Sequence, residues 1–276
     1  MLQFTVNDSL CTRCRQCVLD CPSRIIEQKG KGLPCIAEER EGACLRCQHC
    51  LAVCPTGAIS ILGFDPDKSL PLGPESFPDL EQMSLLIRGR RSVRQYRDAN
   101  VDPALLQQLL ATLAHAPTGV NNRSLTFTVI DDKEVMQEFQ RRVMAALAQA
   151  AAENRIPARY AYLVSATTWK YEYGVKLLFR NAPHALLISA PPDSPCPGQD
   201  IPLALAYFDL LASSAGLGTV WWGMLNMVLE TVPELKSFLG LPTDHQYFAM
   251  LFGLPAVHYA RTVQRDTSTC IRRVSL

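Results

Sequence analysis

Residues 11–22 read CTRCRQCVLDCP, and residues 44–55 read CLRCQHCLAVCP. Both follow one form, Cys-x2-Cys-x2-Cys-x3-Cys-Pro. Three thiolates two residues apart on a tight loop wrap one iron–sulfur cube. The fourth sits on the next turn and points the opposite way, and proline ends that turn because it cannot continue a helix. This is the bacterial spacing for iron–sulfur ligation, in which the fourth cysteine of each run serves the other cluster. The expected 4Fe–4S sets are therefore Cys11, Cys14, Cys17 and Cys54 for one cluster, and Cys44, Cys47, Cys50 and Cys21 for the other.

Zinc sites use two separated Cys-x-x-Cys pairs and have no place for a third cysteine two residues on. The doubled run resembles a two-cluster bacterial ferredoxin over residues 1–62. Nine of the eleven cysteines lie before residue 55, a density that in a reducing compartment points to metal rather than disulfides. Cys35, Cys196 and Cys270 stand outside the pattern and read as small buried hydrophobes. His49, inside the second run, reads as a surface residue. Two clusters in one small domain form an electron relay, and a relay has to deliver somewhere.

Hydrophobic residues make up 48% and charged residues 19% of 276 residues, the balance of a folded chain with ample core. A formal net charge of +1 provides no field for nucleic acid or an anionic membrane. No apolar run reaches the roughly 18 residues of a membrane span, and MLQFTVNDSLC has no signal-peptide character. The expected setting is the cytoplasm, anaerobic or microaerobic because exposed clusters oxidise.

Residues 63–79, GFDPDKSLPLGPESFPD, hold four prolines and two glycines and read as a non-helical linker. A second domain then spans 80–276. Asp79 caps a helix with Leu80, Met83 and Ile87 on one side, ending at Gly89. Asp102–Pro103 opens a helix with Leu105, Leu106, Leu109, Leu110 and Leu113 inward. Leu125, Phe127 and Val129 alternate as a half-buried strand. Asp132 caps a long helix with Val135, Phe139, Val143 and Leu147 inward. Residues 185–190 and 247–252 read as core strands. The run IPLALAYFDLLASSAG, begun by Asp200 and closed by Gly216, is apolar almost all round, hence central to the domain or shared with a second subunit. The fold class is α+β, with helices around a central, mainly antiparallel sheet.

Neither a Walker loop nor a Gly-x-Gly-x-x-Gly turn occurs. A different phosphate handle stands at residues 88–97, RGRRSVRQYR. In an extended chain Arg90, Ser92 and Arg94 project on one side, offering guanidiniums and a hydroxyl to a phosphate; a solvated basic edge is the other reading. The order GRRSVRQYRD, APTGVNN, AGLGTVWWG, YARTVQR decides between them. In that order the second domain resembles the FMN-dependent nitroreductase family, and the whole chain resembles its subgroup with an N-terminal two-cluster ferredoxin domain.

The resemblance implies that Arg90, Arg91, Ser92 and Arg94 hold the FMN phosphate and ribityl chain. Pro117, Thr118, Gly119 and Asn121 would approach the flavin from the other subunit of a homodimer. Gly218, Trp221 and Gly223 would lie along the isoalloxazine, and Arg261 and Arg265 would complete the phosphate site. Where the family usually continues Gln-Pro-Trp, this chain has Arg123-Ser124-Leu125, which alters that side of the flavin. SATTWKYEYG at 165–174 reads as a lid over the flavin, with core packing of Trp169 as the other reading. The function so implied is an FMN-dependent oxidoreductase, fed or drained through its own clusters, that reduces nitroaromatic, quinone or other conjugated acceptors. Electrons come from an external ferredoxin or from NAD(P)H. No side chain stands out as an obligatory acid or base, since the flavin carries the chemistry. The rival reading is an iron–sulfur electron-transfer or redox-sensing protein with a degenerate flavin site.

Overall fold

Left-handed backbone at four non-glycine residues shapes the two cysteine loops. Arg13 and Arg15 have φ of 58° and 65°, and Arg46 and Gln48, at the same places in the second run, have 54° and 60°. Each such residue costs about 1 kcal/mol or more in backbone strain, so their recurrence marks a loop path that the cysteines themselves impose. The computed structural model describes residues 2–163, 177–265 and 271–274. It divides into two units, Met1–Pro78 with Val120–Asn122, and Asp79–Gly119 with Arg123–Leu276.

The first unit runs β1 (Thr5–Val6), α1 (Gln16–Asp20), β2 (Ile26–Glu27), β3 (Cys35–Ile36), α2 (His49–Ala52) and β4 (Ile59–Ser60). Strand β1 pairs antiparallel with β4, Val6 opposite Ile59, and β2 with β3, Ile26 opposite Ile36. Leu2, Ile25, Ile26, Leu51, Ile59 and Ile61 form its core. Cys35 is exposed in β3 rather than buried, because this two-stranded ribbon has one face in water. His49 is exposed and paired with Asp20, Nδ1 to Oδ2 3.1 Å. The proline-rich stretch forms two single 3-10 turns, Pro66–Lys68 and Pro74–Ser76.

In the second unit α3 (Leu80–Gly89) starts at Asp79, whose side chain accepts from the Gln82 N–H at 2.7 Å. None of its residues is buried; Leu80, Leu85 and Ile87 lie uncovered. Helix α4 (Pro103–Leu113) buries Leu106, Leu109 and Leu113, with Leu105 and Leu110 half-buried. Strand β5 (Thr126–Ile130) leads into α5 (Lys133–Ala152), where Asp132 accepts from the N–H groups of Glu134 and Val135. Met136, not Val135, joins Phe139, Val143 and Leu147 on the buried face. The capped first turn directs Val135 outward, and it is 47% exposed.

Strand β6 (His184–Ala190) is buried at every residue. Helix α6 (Pro197–Ser214) begins before Asp200, with Pro197 in its first turn, where the missing N–H costs nothing. Then follow β7 (Gly218–Trp221), α7 (Gly223–Thr231), α8 (Leu235–Phe238) and β8 (Gln246–Gly253). The sheet order is β5-β6-β8-β7, antiparallel throughout, with Leu187 opposite Ala249 and Val220 opposite Leu251. Alternation along β6 sends Leu186 and Ile188 toward Phe208 and Leu109, and Ala185 and Leu187 toward Phe139 and Val143. Helices therefore cover both faces, α4 and α6 on one, α5 and α7 on the other. The expected lid at 165–174 and Cys270 lie outside the described residues.

Candidate functional site

The first unit contains two cavities beside its cysteine loops. One is lined by Cys11, Cys14, Cys17 and Cys54. The other is lined by Cys21, Cys44, Cys47 and Cys50. Each cavity thus takes three cysteines from one repeat and the fourth from the other, the division expected from the spacing. Electrostatic coupling divides them in the same way. Burial pushes the Cys17 thiol up, with Cys54 and Cys14 adding to the shift. Burial pushes Cys50 to about 12, with Cys47, Cys44 and Cys21 as its charged neighbours. Left to themselves such groups stay neutral thiols; as thiolates they would need a cationic centre among them, of the kind an iron–sulfur cube would supply. Backbone N–H groups already point at sulfur, from Arg46 to Cys44 Sγ at 3.4 Å and from Ala58 to Cys54 Sγ at 3.2 Å. Such bonds tune a cluster's potential.

In the second unit, residues 90–97 run as a strap along β7 and the end of β8. The Val93 N–H donates to the Thr219 carbonyl at 2.8 Å, and Ser92 bridges Thr219 in parallel. The Arg97 N–H donates to the Leu254 carbonyl at 2.8 Å, and the buried Tyr96 hydroxyl to the Val93 carbonyl at 2.9 Å. Two motifs far apart in sequence, RSVRQY and GLGTVW, are thereby one surface.

Beside the strap lies a cavity of about 570 Å³ walled by Arg88, Arg90, Arg91, Thr262, Gln264 and Arg265. Among the described residues Arg88, Arg91 and Arg265 form no ion pair. Three unneutralised guanidiniums around a cavity suit a phosphate group. The set differs in detail from the expected one. Arg88 joins it, whereas Arg94 is exposed with Nη1 on the Ser92 carbonyl at 3.3 Å, and Arg261 is exposed outside the wall. Arg90 ends α3, and its backbone, with φ −56° and ψ 130°, has already left the helical conformation.

Arg90 is held from below. Its Nη1 meets Asp209 Oδ2 at 3.2 Å, and the same carboxylate accepts from the Thr219 hydroxyl and from Trp221 Nε1 at 3.3 Å. Asp209 lies in α6 and is 4% exposed. It was not among the expected site residues, although an acid within an apolar stretch of helix signals a buried partner, since an unpaired buried charge is too costly to keep. Trp222, by contrast, is core, packed against Phe139 and Phe179 with Nε1 donating to the Leu178 carbonyl at 2.6 Å. Gly223 has room for a Cβ, with Phe248 no nearer than 3.6 Å, so protein packing does not explain the glycine.

The segment after α4 is divided. The Gly119 N–H donates to both carboxylate oxygens of buried Asp200, at 3.0 and 3.1 Å, and its Cα abuts Cys196. The Thr118 hydroxyl accepts from the Arg123 N–H at 3.0 Å. Val120, Asn121 and Arg123 all have left-handed φ, between 48° and 56°. Asn121 belongs to the first unit, where Nδ2 donates to the Leu45 carbonyl at 2.8 Å. Pro117, Thr118 and Gly119 belong to the second unit.

Comparison with known proteins agrees with both halves. Residues 87–254 match the nitroreductase family model, and residues 10–59 match that of the 4Fe-4S dicluster domain. The chain belongs to the nitroreductase family and carries an iron–sulfur domain at its N-terminal side; it is an oxidoreductase of that family. A curated relative, a putative NADH dehydrogenase/NAD(P)H nitroreductase of Methanothermobacter thermautotrophicus, is 24% identical over 62% of this chain and 75% of its own. Among solved structures, an FMN-bound nitroreductase of Bacteroides fragilis superposes with a TM-score of 0.54 at 23% identity, covering 69% of this chain and 99% of its own. An FMN-dependent nitroreductase of Mycobacterium smegmatis in complex with NADPH gives 0.52 at 20% identity, covering 71% and 100%.

Proposed function

We propose that the protein is an FMN-dependent reductase whose own pair of 4Fe–4S clusters exchanges electrons with the flavin. The observation that carries this reading is the arginine-walled cavity of about 570 Å³ in the family domain of a chain that also holds two four-cysteine cavities. When bound, FMN supplies the exchange between one-electron carriers and two-electron reductions of organic acceptors. The chain's residues do the rest. Arg90, Arg91 and Arg265 neutralise the phosphate, and Ser92 lies on the strap that positions it. Gly218, Trp221 and Gly223 line the approach to the ring, and the two cysteine sets hold one cluster each.

Acceptors are small conjugated molecules, nitroaromatics and quinones among them, that stack on the ring. Donors are a reduced ferredoxin, or NAD(P)H docking at the flavin itself, since the chain has no Gly-x-Gly-x-x-Gly unit. The uncovered Leu80, Leu85 and Ile87 of α3 support assembly into a homodimer. Anaerobically purified protein should carry about one FMN and about eight iron atoms per chain, and be dimeric by light scattering. Iron and sulfide with no flavin would instead support the electron-carrier reading. Steady-state rates with NADH, NADPH and reduced ferredoxin then identify the donor.

A further inference from the structure

A carboxylate in the middle of an apolar helix has to have a reason. Asp209 follows Ala204, Leu205 and Phe208 on the buried side of α6, yet it stays within reach of three donors from two other segments. Thr219 and Trp221 come from β7, and Arg90 comes from the cap of α3. Thr219 is 1% exposed, and the Asp209 side chain 6%, whereas the Arg90 side chain is 29% exposed and borders the cavity. The carboxylate is thus the fixed member of the pair and the guanidinium the reaching one.

From this geometry we infer that Asp209 is a positioning residue of the phosphate site, acting through Arg90. Arg90 meets Asp209 through Nη1. A guanidinium is planar, with its donors in a rigid fork, so anchoring one corner orients the others. The buried anchor removes the rotamer freedom that a long side chain would otherwise lose on binding. Arg88, Arg91 and Arg265 have no such anchor among the described residues and act as less directed charges.

The inference rests on the flavin reading of the cavity, and the test separates the two. Apo protein is titrated anaerobically with FMN and with riboflavin, which lacks the phosphate. Asp209→Ala and the near-isosteric Asp209→Asn are compared with wild type, each also in an Arg90→Ala background. Asp209→Ala is expected to weaken FMN binding roughly tenfold or more, the scale of one charge-assisted hydrogen bond, with riboflavin affinity unchanged. Asp209→Asn, which keeps hydrogen bonds to Thr219 and Trp221, should lose less. In the Arg90→Ala background the aspartate substitutions should have almost no further effect on FMN. Equal losses for FMN and riboflavin, or an undiminished loss without Arg90, would overturn the inference and leave Asp209 a structural residue. Wild type that binds FMN no better than Asp209→Ala does would overturn it alone. Wild type that binds neither flavin would overturn the reading of the cavity and this inference together.

Discussion

Gly218 stands so close to Val93 that a Cβ on the glycine would lie 2.7 Å from the valine's own. Its φ is not left-handed, so this glycine serves proximity and not a turn. It lets residues 90–97 lie flush along β7, with the Val93 N–H donating to the Thr219 carbonyl. Gly218→Ala must push the strap away or strain the strand, at a cost of about 1–3 kcal/mol for an overpacked site. Thermal melts should show a lowered midpoint, and FMN affinity should fall with it, because Arg90 and Ser92 move with the strap. Unchanged stability and affinity would show that the strap is free to shift.

The division of the cysteines crosses the repeats. Cys54→Ser should abolish the cluster of the first run although Cys54 belongs to the second, and Cys21→Ser the cluster of the second run. Each variant should lose about four iron atoms per chain and one of two signals in electron paramagnetic resonance of the reduced protein. Loss of the signal from the variant's own run would mean that each repeat ligates alone.

In the proposed relay, electron delivery through the clusters is separable from chemistry at the flavin. Cys14→Ala and Cys47→Ala should spare turnover driven by a chemical reductant and abolish turnover driven by reduced ferredoxin. Parallel loss of both activities would count against the relay. The comparison is made at equal FMN content, so that a folding defect is not mistaken for a broken path.

His184 is fully buried in β6 against Phe252, with Nε2 accepting from the Val101 N–H at 3.0 Å. Burial holds its pKa below the ordinary 6.5, partly offset by Asp131, the Ile130 backbone and Asp132. A protonated ring has no lone pair for Val101. The unfolded chain therefore takes up this proton first as pH falls through about 6.5, and stability declines from there until the lower folded pKa is reached. Urea midpoints at pH 7.5 and 5.5 should fall more for wild type than for His184→Gln. Identical pH dependence in the two would exclude His184 as the cause.

Local rules carried much of the structure. The caps at Asp79, Asp102 and Asp132 are short-range hydrogen bonds, and the helices they start were legible because each cap lies within three residues of its partner. The grouping of cysteines around two cavities was legible because they repeat at a spacing that a loop alone dictates. Strand β7 was not foreseen, since its four residues have no pattern of their own and become a strand only by pairing with β8. Val135 was misplaced because two neighbouring phases of the α5 stripe look alike until the cap and the sheet select one.

The amino-acid order by itself determined the cysteine sets, the two-domain plan and the basic segment at 88–97, all matters of residue type at short separation. Which arginines wall the cavity, that Asn121 turns to Leu45, and that Asp209 sits under Arg90 were decided by the tertiary structure. Those outcomes depend on segments more than seventy residues apart meeting in a packed interior. Desolvation there makes a partner for every charge obligatory without naming it in advance.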